Sequence, residues 1–279
     1  MKLVRYGECG AEKPGLVDDS GRLRDLSRVV DDITGRTLSE ASLKRLRDLD
    51  RTALPLVSGT PRLGSPVGAV GKVVAIGLNY TDHVAELGAP TPPEPIMFMK
   101  ATTAICGPHD NVLIPPGAVK TDWEVELAVV IGALARRVST ASAVGHVAGY
   151  MVSNDISERD YQFEHGGQWV KGKSCDTFCP LGPWLVTTDE IPDPQSLGIW
   201  LELNGEVMQT GNTQRMIFPV ADLVSYVSRF MTLVPGDVIL TGTPPGVGHR
   251  KKPPRLLRAG DVMRLGIDGL GEQRLVCAA

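Results

Sequence analysis

KTDWEVELAVVIG, Lys120 to Gly132, is the stretch from which the fold is read. Val125, Leu127, Val129 and Ile131 fall on one side at a period of two, which predicts a β-strand. The other side carries Glu124, Glu126, Ala128 and Val130, so from Leu127 onward both sides are apolar. A strand of this kind is covered on both faces rather than washed on one. Two glutamates therefore open a buried strand on the same face. Neighbouring carboxylates leaving water raise each other's pKa unless a cation holds them. Taken alone, the stretch is equally compatible with two solvated acids at a strand mouth.

A third acid favours the cation. GYMVSNDISERDYQ places Asp155 just beyond the apolar run Tyr150 to Val152, where a second strand would end. Three carboxylates without clustered His or Cys suit an oxygen-bound magnesium, manganese or calcium ion with open water positions, not zinc.

Composition bounds the rest. The chain has 279 residues, 42% of them hydrophobic, and a formal net charge of −3, which is ordinary globular make-up. With 5% aromatic residues and scattered basic ones, neither a nucleic-acid surface nor an anionic-membrane footprint is expected. No apolar run approaches the roughly 20 residues that span a bilayer. The start MKLVRYGECG lacks the apolar core of a signal peptide. Five cysteines, with no metal-ligand spacing, read as free thiols. The expectation is a cytoplasmic protein.

Residues 1–66 read as a small N-terminal α/β domain with its linker, and residues 67–279 as the catalytic domain. In the first, KPGLVDDSGRLRDLS predicts a hairpin. Thr37 followed by Glu40 has the spacing of a capping box ahead of a helix through Leu43, Leu46 and Leu49. In the second, TDHVAELGAP places His83 and Glu86 on one face of a helical turn. SERDYQFEHGGQWVKGKSCDTF reads as a polar loop, of a length that tends to be functional. LELNGEVMQ is a hairpin about Asn204-Gly205, and DVMRLGIDGLGEQRLV another about Asp268-Gly269. PVADLVSYVSRFMTLVPG predicts a helix whose apolar face is Val220, Leu223, Val224, Val227, Phe230 and Met231. Strands outnumber helices and their connections read as hairpins rather than βαβ units. The fold class is α+β, a β-rich mixed roll or barrel with few helices.

Seven segments now on the page occur together in one order: GLNYTDHVAELG, FMKATTAICGP, DWEVELAVVIG, GYMVSNDISERDYQ, GGQWVKGKSCDTFCPLGPWLV, LNGEVMQTGNTQRMIF and GDVILTGTPPGVG. In that order and spacing the chain resembles the fumarylacetoacetate hydrolase family from about Lys72 to its end. Ala101 departs from the family, which usually has proline after the lysine of FMK. The resemblance implies a β-roll core, a homodimer, and a magnesium or manganese ion held by Glu124, Glu126 and Asp155. It implies that GLNYTDHVAELG is a lid bringing His83 and Glu86 over the substrate, and that Lys173 is the active-site lysine. Arg159, Gln162 and Thr243 match positions that contact substrate. The substrate implied is a small 2-oxo or 2,4-dioxo acid, cleaved at a C–C bond to release pyruvate or a similar acid. A 2,4-dioxo-3-deoxy sugar acid is the narrower expectation.

His83 suits a general base near neutral pH, with Glu86 orienting its ring. Arg159 suits a bidentate grip on a carboxylate, against the alternative of a salt bridge to Asp160 or Glu158. The remaining histidines, His109, His146, His165 and His249, have no partner legible in the sequence. Decarboxylation or isomerisation of oxaloacetate- or hydroxymuconate-like acids, and ureidoglycolate cleavage, would use the same parts. A non-catalytic binding module for a metal or sugar acid is the reading from a different class.

Overall fold

The structure is a computed structural model describing residues 1–279. Val125–Ile131 is a strand buried at all seven residues. Both neighbours are antiparallel: Val147–Asn154 on one side and Val238–Leu240 on the other. The larger sheet runs Leu23–Asp25, Lys13–Val17, Lys2–Tyr6, Cys179–Thr187, Val147–Asn154, Val125–Ile131, Val238–Leu240, Val73–Gly77, Ile96–Lys100. A second sheet of five strands, centred on Gly198–Leu203 and Val262–Ile267, packs across the acidic strand and curls the whole into a roll. Leu201, Leu203, Met263 and Leu265 of that sheet are buried, each stabilising by about 1.5–3 kcal/mol relative to exposure. Coverage on both faces is why the apolar pattern loses its alternation.

The connections are less local than the sequence suggests. Val238–Leu240 pairs in parallel with Val73–Gly77, more than 160 residues earlier, and two further parallel pairs join Cys179–Thr187 to Ile105–Cys106 and Gly271–Ala278 to Val112–Leu113. The local signals did form. Asn204 (φ 53°) and Gly205 (φ 83°) turn one hairpin in the left-handed region that such two-residue turns require. The strands Val262–Ile267 and Gly271–Ala278 make the other about Asp268-Gly269, and Lys13–Val17 with Leu23–Asp25 the third.

Two details differ from expectation. The N-terminal helix spans Glu40–Arg47 and is capped by Ser39, whose side chain accepts from the Ser42 N–H, while the Thr37 hydroxyl donates to the Asp32 carbonyl. The helix Val220–Phe230 buries Val220, Leu223, Val224 and Val227, but Phe230 stands 61% exposed at its last turn. Residues 1–66 share the hydrogen-bonded sheet of the rest, because Lys2–Tyr6 pairs with Cys179–Thr187. No helix is long and apolar enough to cross a membrane. All five cysteines are free thiols, with Cys179 and Cys277 buried and Cys9 exposed.

Candidate active site

Strand register assembles the acids. Val125 lies opposite Asn154, and the Asp155 N–H donates to the Glu124 carbonyl at 2.8 Å, so Asp155 sits across from Glu124 just past the strand end. The Asn154 side chain accepts from the Glu124 N–H at 2.9 Å and fixes that corner. Glu124, Glu126 and Asp155 are all buried, with one oxygen from each lying within 4.8 Å of the others.

The cations around them come from distant segments. Lys173 Nζ donates to Glu124 and to Asp155, each at 2.6 Å. Lys100 Nζ donates to the other Asp155 oxygen at 2.5 Å and to the Ile156 carbonyl at 3.1 Å. Arg159 donates to Glu124 at 2.6 Å and to Asp122 at 2.8 and 2.9 Å. Its partners are therefore Asp122 and Glu124, not the adjacent Asp160 or Glu158. The segment holding Arg159 and Lys173, read from sequence as loop, contains two short helices, Arg159–Phe163 and Val170–Lys173. Gly172 lets them approach, since a Cβ there would lie 2.4 Å from the Glu158 carbonyl oxygen.

Asp122 is a hub that sequence reading missed. Its fully buried carboxylate accepts from Arg159, from the N–H groups of Trp123, Gly248 and His249, and faces His249 Nδ1 at 2.9 Å. Burial alone would push its pKa up, but Arg159 and His249 outweigh burial and hold it below the usual range. The hub ties the acidic strand, the Arg159 helix and the turn after TGTPPG together.

Charge counting isolates one acid. Four buried carboxylates (Asp122, Glu124, Glu126, Asp155) face three buried cations (Lys100, Lys173, Arg159). Glu126 is the acid without a cation. Its hydrogen bond is a single one from the Gly242 N–H at 2.8 Å. Burial, then the charges of Asp155 and Glu124, raise its pKa well above the carboxylate range. Glu124 is driven the opposite way, burial being outweighed by Arg159 and Lys173. An unpaired buried carboxylate beside two others is the donor set a hard divalent ion would satisfy. The residues fit such an ion.

Glu124 and Glu126 line one pocket with Lys173, Arg159, Gln162, Thr243 and His83. His83 is on the helix Thr81–Leu87, which ends at Gly88 in the left-handed conformation (φ 61°). Its Nδ1 lies 3.0 Å from Glu86, and Glu86 also accepts from the Gly246 N–H at 3.1 Å, which pins the helix to the glycine-rich turn. Gln162 lines the pocket and accepts from Arg159 at 3.0 Å, while its amide nitrogen has no bond within the protein. The Thr243 hydroxyl donates to the Val125 carbonyl at 2.9 Å and accepts from Gln209 at 2.8 Å, so it is already engaged. Every sequence-derived site residue borders this pocket or, for Asp155 and Glu86, bonds to residues that do. Of the four unassigned histidines, His249 also lines it. No local spacing signals Lys100, Asp122 or His249; their partners lie 55, 37 and 127 residues away.

A roll of two sheets with three acids at the mouth of its central strand defines a class. The fumarylacetoacetate (FAA) hydrolase C-terminal model matches residues 72–276, and the chain belongs to the fumarylacetoacetate hydrolase family. It is similar to a Burkholderia cenocepacia protein provisionally named a hydrolase, 61% identical over 274 residues, covering 98% of this chain and 97% of the relative. Among solved structures it resembles maleylpyruvate hydrolase from Sphingobium sp. SYK-6 (TM-score 0.83, 30% identity, 100% of this chain and 99% of that one). It also resembles a probable 2-hydroxyhepta-2,4-diene-1,7-dioate isomerase from Mycobacterium abscessus (TM-score 0.84, 37% identity, 100% and 98% covered).

Proposed function

We propose that the chain is a divalent-metal-dependent hydrolase that cleaves the C–C bond of a 2,4-dioxo acid of the acylpyruvate type, giving a carboxylic acid and pyruvate or a similar 2-oxo acid. The observation that carries the reading is Glu126. It is a buried carboxylate without a counter-cation, grouped with Glu124 and Asp155 at the base of a pocket that His83 overlooks. Glu124, Glu126 and Asp155 would hold the ion, magnesium or manganese. When bound, it supplies positive charge beside the oxygen on which an enolate develops, the electrostatic contribution usually worth most.

The chain's own groups do the rest. His83 removes a proton from water, with Glu86 holding the ring and stabilising its cation. The resulting hydroxide adds to the 4-oxo carbon. The bond from that carbon to C3 then breaks, its electron pair moving into the 2-oxo fragment as an enolate, and the proton is returned to C3. Lys173, with two N–H groups held by Glu124 and Asp155, donates its third to an oxygen of the 2-oxo acid. Gln162 offers its free amide, and Arg159 fixes Glu124 while presenting charge to the substrate carboxylate. Thr243 meets the substrate only by exchanging its bond to Val125. We propose a homodimer as the working form, checked by light scattering in solution.

The test is pyruvate release from a simple acylpyruvate with magnesium, abolished by EDTA and restored by the metal. Absence of turnover across a panel of acylpyruvates, with metal bound, would point to a binding module instead. The similarity to the isomerase favours a second reading, proton shuffling on the same enolate without water. His83→Ala separates them: hydrolysis is lost while decarboxylation of oxaloacetate is less affected.

A further inference from the structure

The pocket's lining divides by chemistry. Beside the acids it is bounded by four rings in successive contact. Phe98 lies 5.1 Å from Lys173 Nζ, and its ring meets Trp169 edge-on at 5.2 Å and 63°. Trp169 meets Phe163 at 6.0 Å and 84°, and Phe163 meets His249 at 6.2 Å and 42°. The wall thus leads from the active-site lysine to His249. Gly77 makes room for it, since a Cβ there would lie 2.7 Å from the Trp169 ring.

Arg250 stands next in the chain and also lines the pocket. It differs from the other cations there. Lys173 is held by Glu124 and Asp155, and Arg159 by Asp122 and Glu124, but the Arg250 guanidinium has neither an ion pair nor a hydrogen bond within the protein. His249 beside it is locked: Nδ1 faces Asp122 at 2.9 Å and its backbone N–H donates to the same oxygen at 3.1 Å. That leaves Nε2 as the ring atom free for a ligand. Arg250 is close enough to His249 that its charge contributes to holding the imidazole pKa down, after burial and Arg159.

We propose that the ring wall, His249 and Arg250 form the subsite for the substrate's tail, the acyl portion beyond the cleaved bond, and that they select a flat, unsaturated or aromatic tail ending in a carboxylate. This rests on the 2,4-dioxo acid reading. A planar tail buries its faces against Phe98, Trp169 and Phe163 with nothing left unpaired. The hydroxyls of a sugar-acid tail would lose water against those rings and find no partner along them, so the wall works against the narrower sugar-acid expectation. A terminal carboxylate would pair with the one guanidinium of the pocket that lacks a partner, with His249 Nε2 beside it.

The experiment uses the full chain with magnesium and three substrates: acetylpyruvate with only a methyl as tail, fumarylpyruvate with a flat carboxylate-ended tail, and a 2,4-dioxo-3-deoxy sugar acid. Fumarylpyruvate is expected to exceed the sugar acid in kcat/KM by about tenfold or more. Arg250→Ala should cut the fumarylpyruvate-to-acetylpyruvate ratio about tenfold, with Arg250→Lys in between. Phe163→Ala should lower the same ratio severalfold. A preference for the sugar acid, or a ratio unmoved by Arg250→Ala, overturns the subsite while leaving the hydrolase reading in place. If no acylpyruvate turns over, the hydrolase reading fails instead. Calorimetric binding of fumarylpyruvate to the two proteins then decides the subsite: weaker binding to Arg250→Ala supports it, and equal binding overturns it.

Discussion

The acidic strand Val125–Ile131 is buried at every residue and hydrogen-bonded on both edges, whereas the helix Thr81–Leu87 above it buries only His83 and Val84. The acids at the strand's mouth, Glu124 and Asp155, are held by cations drawn from three other segments, while Glu126 on the strand itself has none. The helix is tied to the body by two exposed side-chain bonds: Glu86, one-third exposed, accepts from the Gly246 N–H, and the Thr81 hydroxyl donates to the Arg215 carbonyl at 3.3 Å. A group that must bind a multivalent ion needs fixed oxygens. As the lid of the proposed hydrolase, this helix would have to let substrate in and then exclude water, which needs a low cost of opening. Floor and lid therefore respond differently to substitution.

The sharpest break in that contrast is Glu126→Gln. It is expected to lower metal affinity by more than about 100-fold and pyruvate release by about 10³-fold, followed by titration calorimetry and a coupled assay. Because Glu126 has no cation and its environment already favours the neutral acid, Gln is close to isosteric with what it replaces and the metal-free variant should melt near the parent. A large fall in the melting temperature of the metal-free variant would show that Glu126 is a structural partner and not a ligand in waiting.

On the lid, His83→Ala should cost about 10²-fold or more in hydrolysis, the range for a general base, while metal affinity and melting temperature stay near the parent's. Equal loss of metal binding would merge lid and floor into one unit.

Asp122 sharpens the comparison from beneath. Its pKa is depressed in the folded protein, so the stability it contributes is fully present above the ordinary carboxylate value of about 4 and lost as pH falls through the lower folded value. Asp122→Asn should cost about 3 kcal/mol at neutral pH by leaving Arg159 and His249 short of an acceptor. It should also flatten the acid side of the stability–pH curve, read by denaturant melts between pH 3 and 7.

The same contrast explains what could be read from the sequence. Glu124, Glu126 and Asp155 are legible because period-two patterning and a strand end are local; His83 and Glu86 share a helical turn, but their place in the site comes from the family resemblance. Lys100, Asp122 and His249 are not legible, since each meets its partner through the tertiary placement of distant segments and not through local spacing. Arg159 was placed in the site, but its ion-pair partners, Asp122 and Glu124, come from the acidic strand rather than from its neighbours. The roll's topology was hidden for the same reason: the parallel pairing of Val238–Leu240 with Val73–Gly77 leaves no mark on either segment. Thr37 and Phe230 show the opposite limit, local signals that failed: Ser39, two residues on, takes the cap, and Phe230 at the helix end turns outward.

The smallest effect belongs to the lid's hinge. Gly88 ends the helix at φ 61°, with its N–H bonded to the Ala85 carbonyl at 3.1 Å and open space where a Cβ would go. Gly88→Ala therefore meets no clash and suffers only the left-handed backbone strain, about 1 kcal/mol. Because the helix is attached to the floor so lightly, that strain should appear as faster hydrogen exchange over residues 81–88 and a KM raised severalfold. The metal affinity and the exchange of the acidic strand should not move. Protection lost in the strand as well would mean that lid and floor open as one body, and the difference in their construction would have no counterpart in their motion.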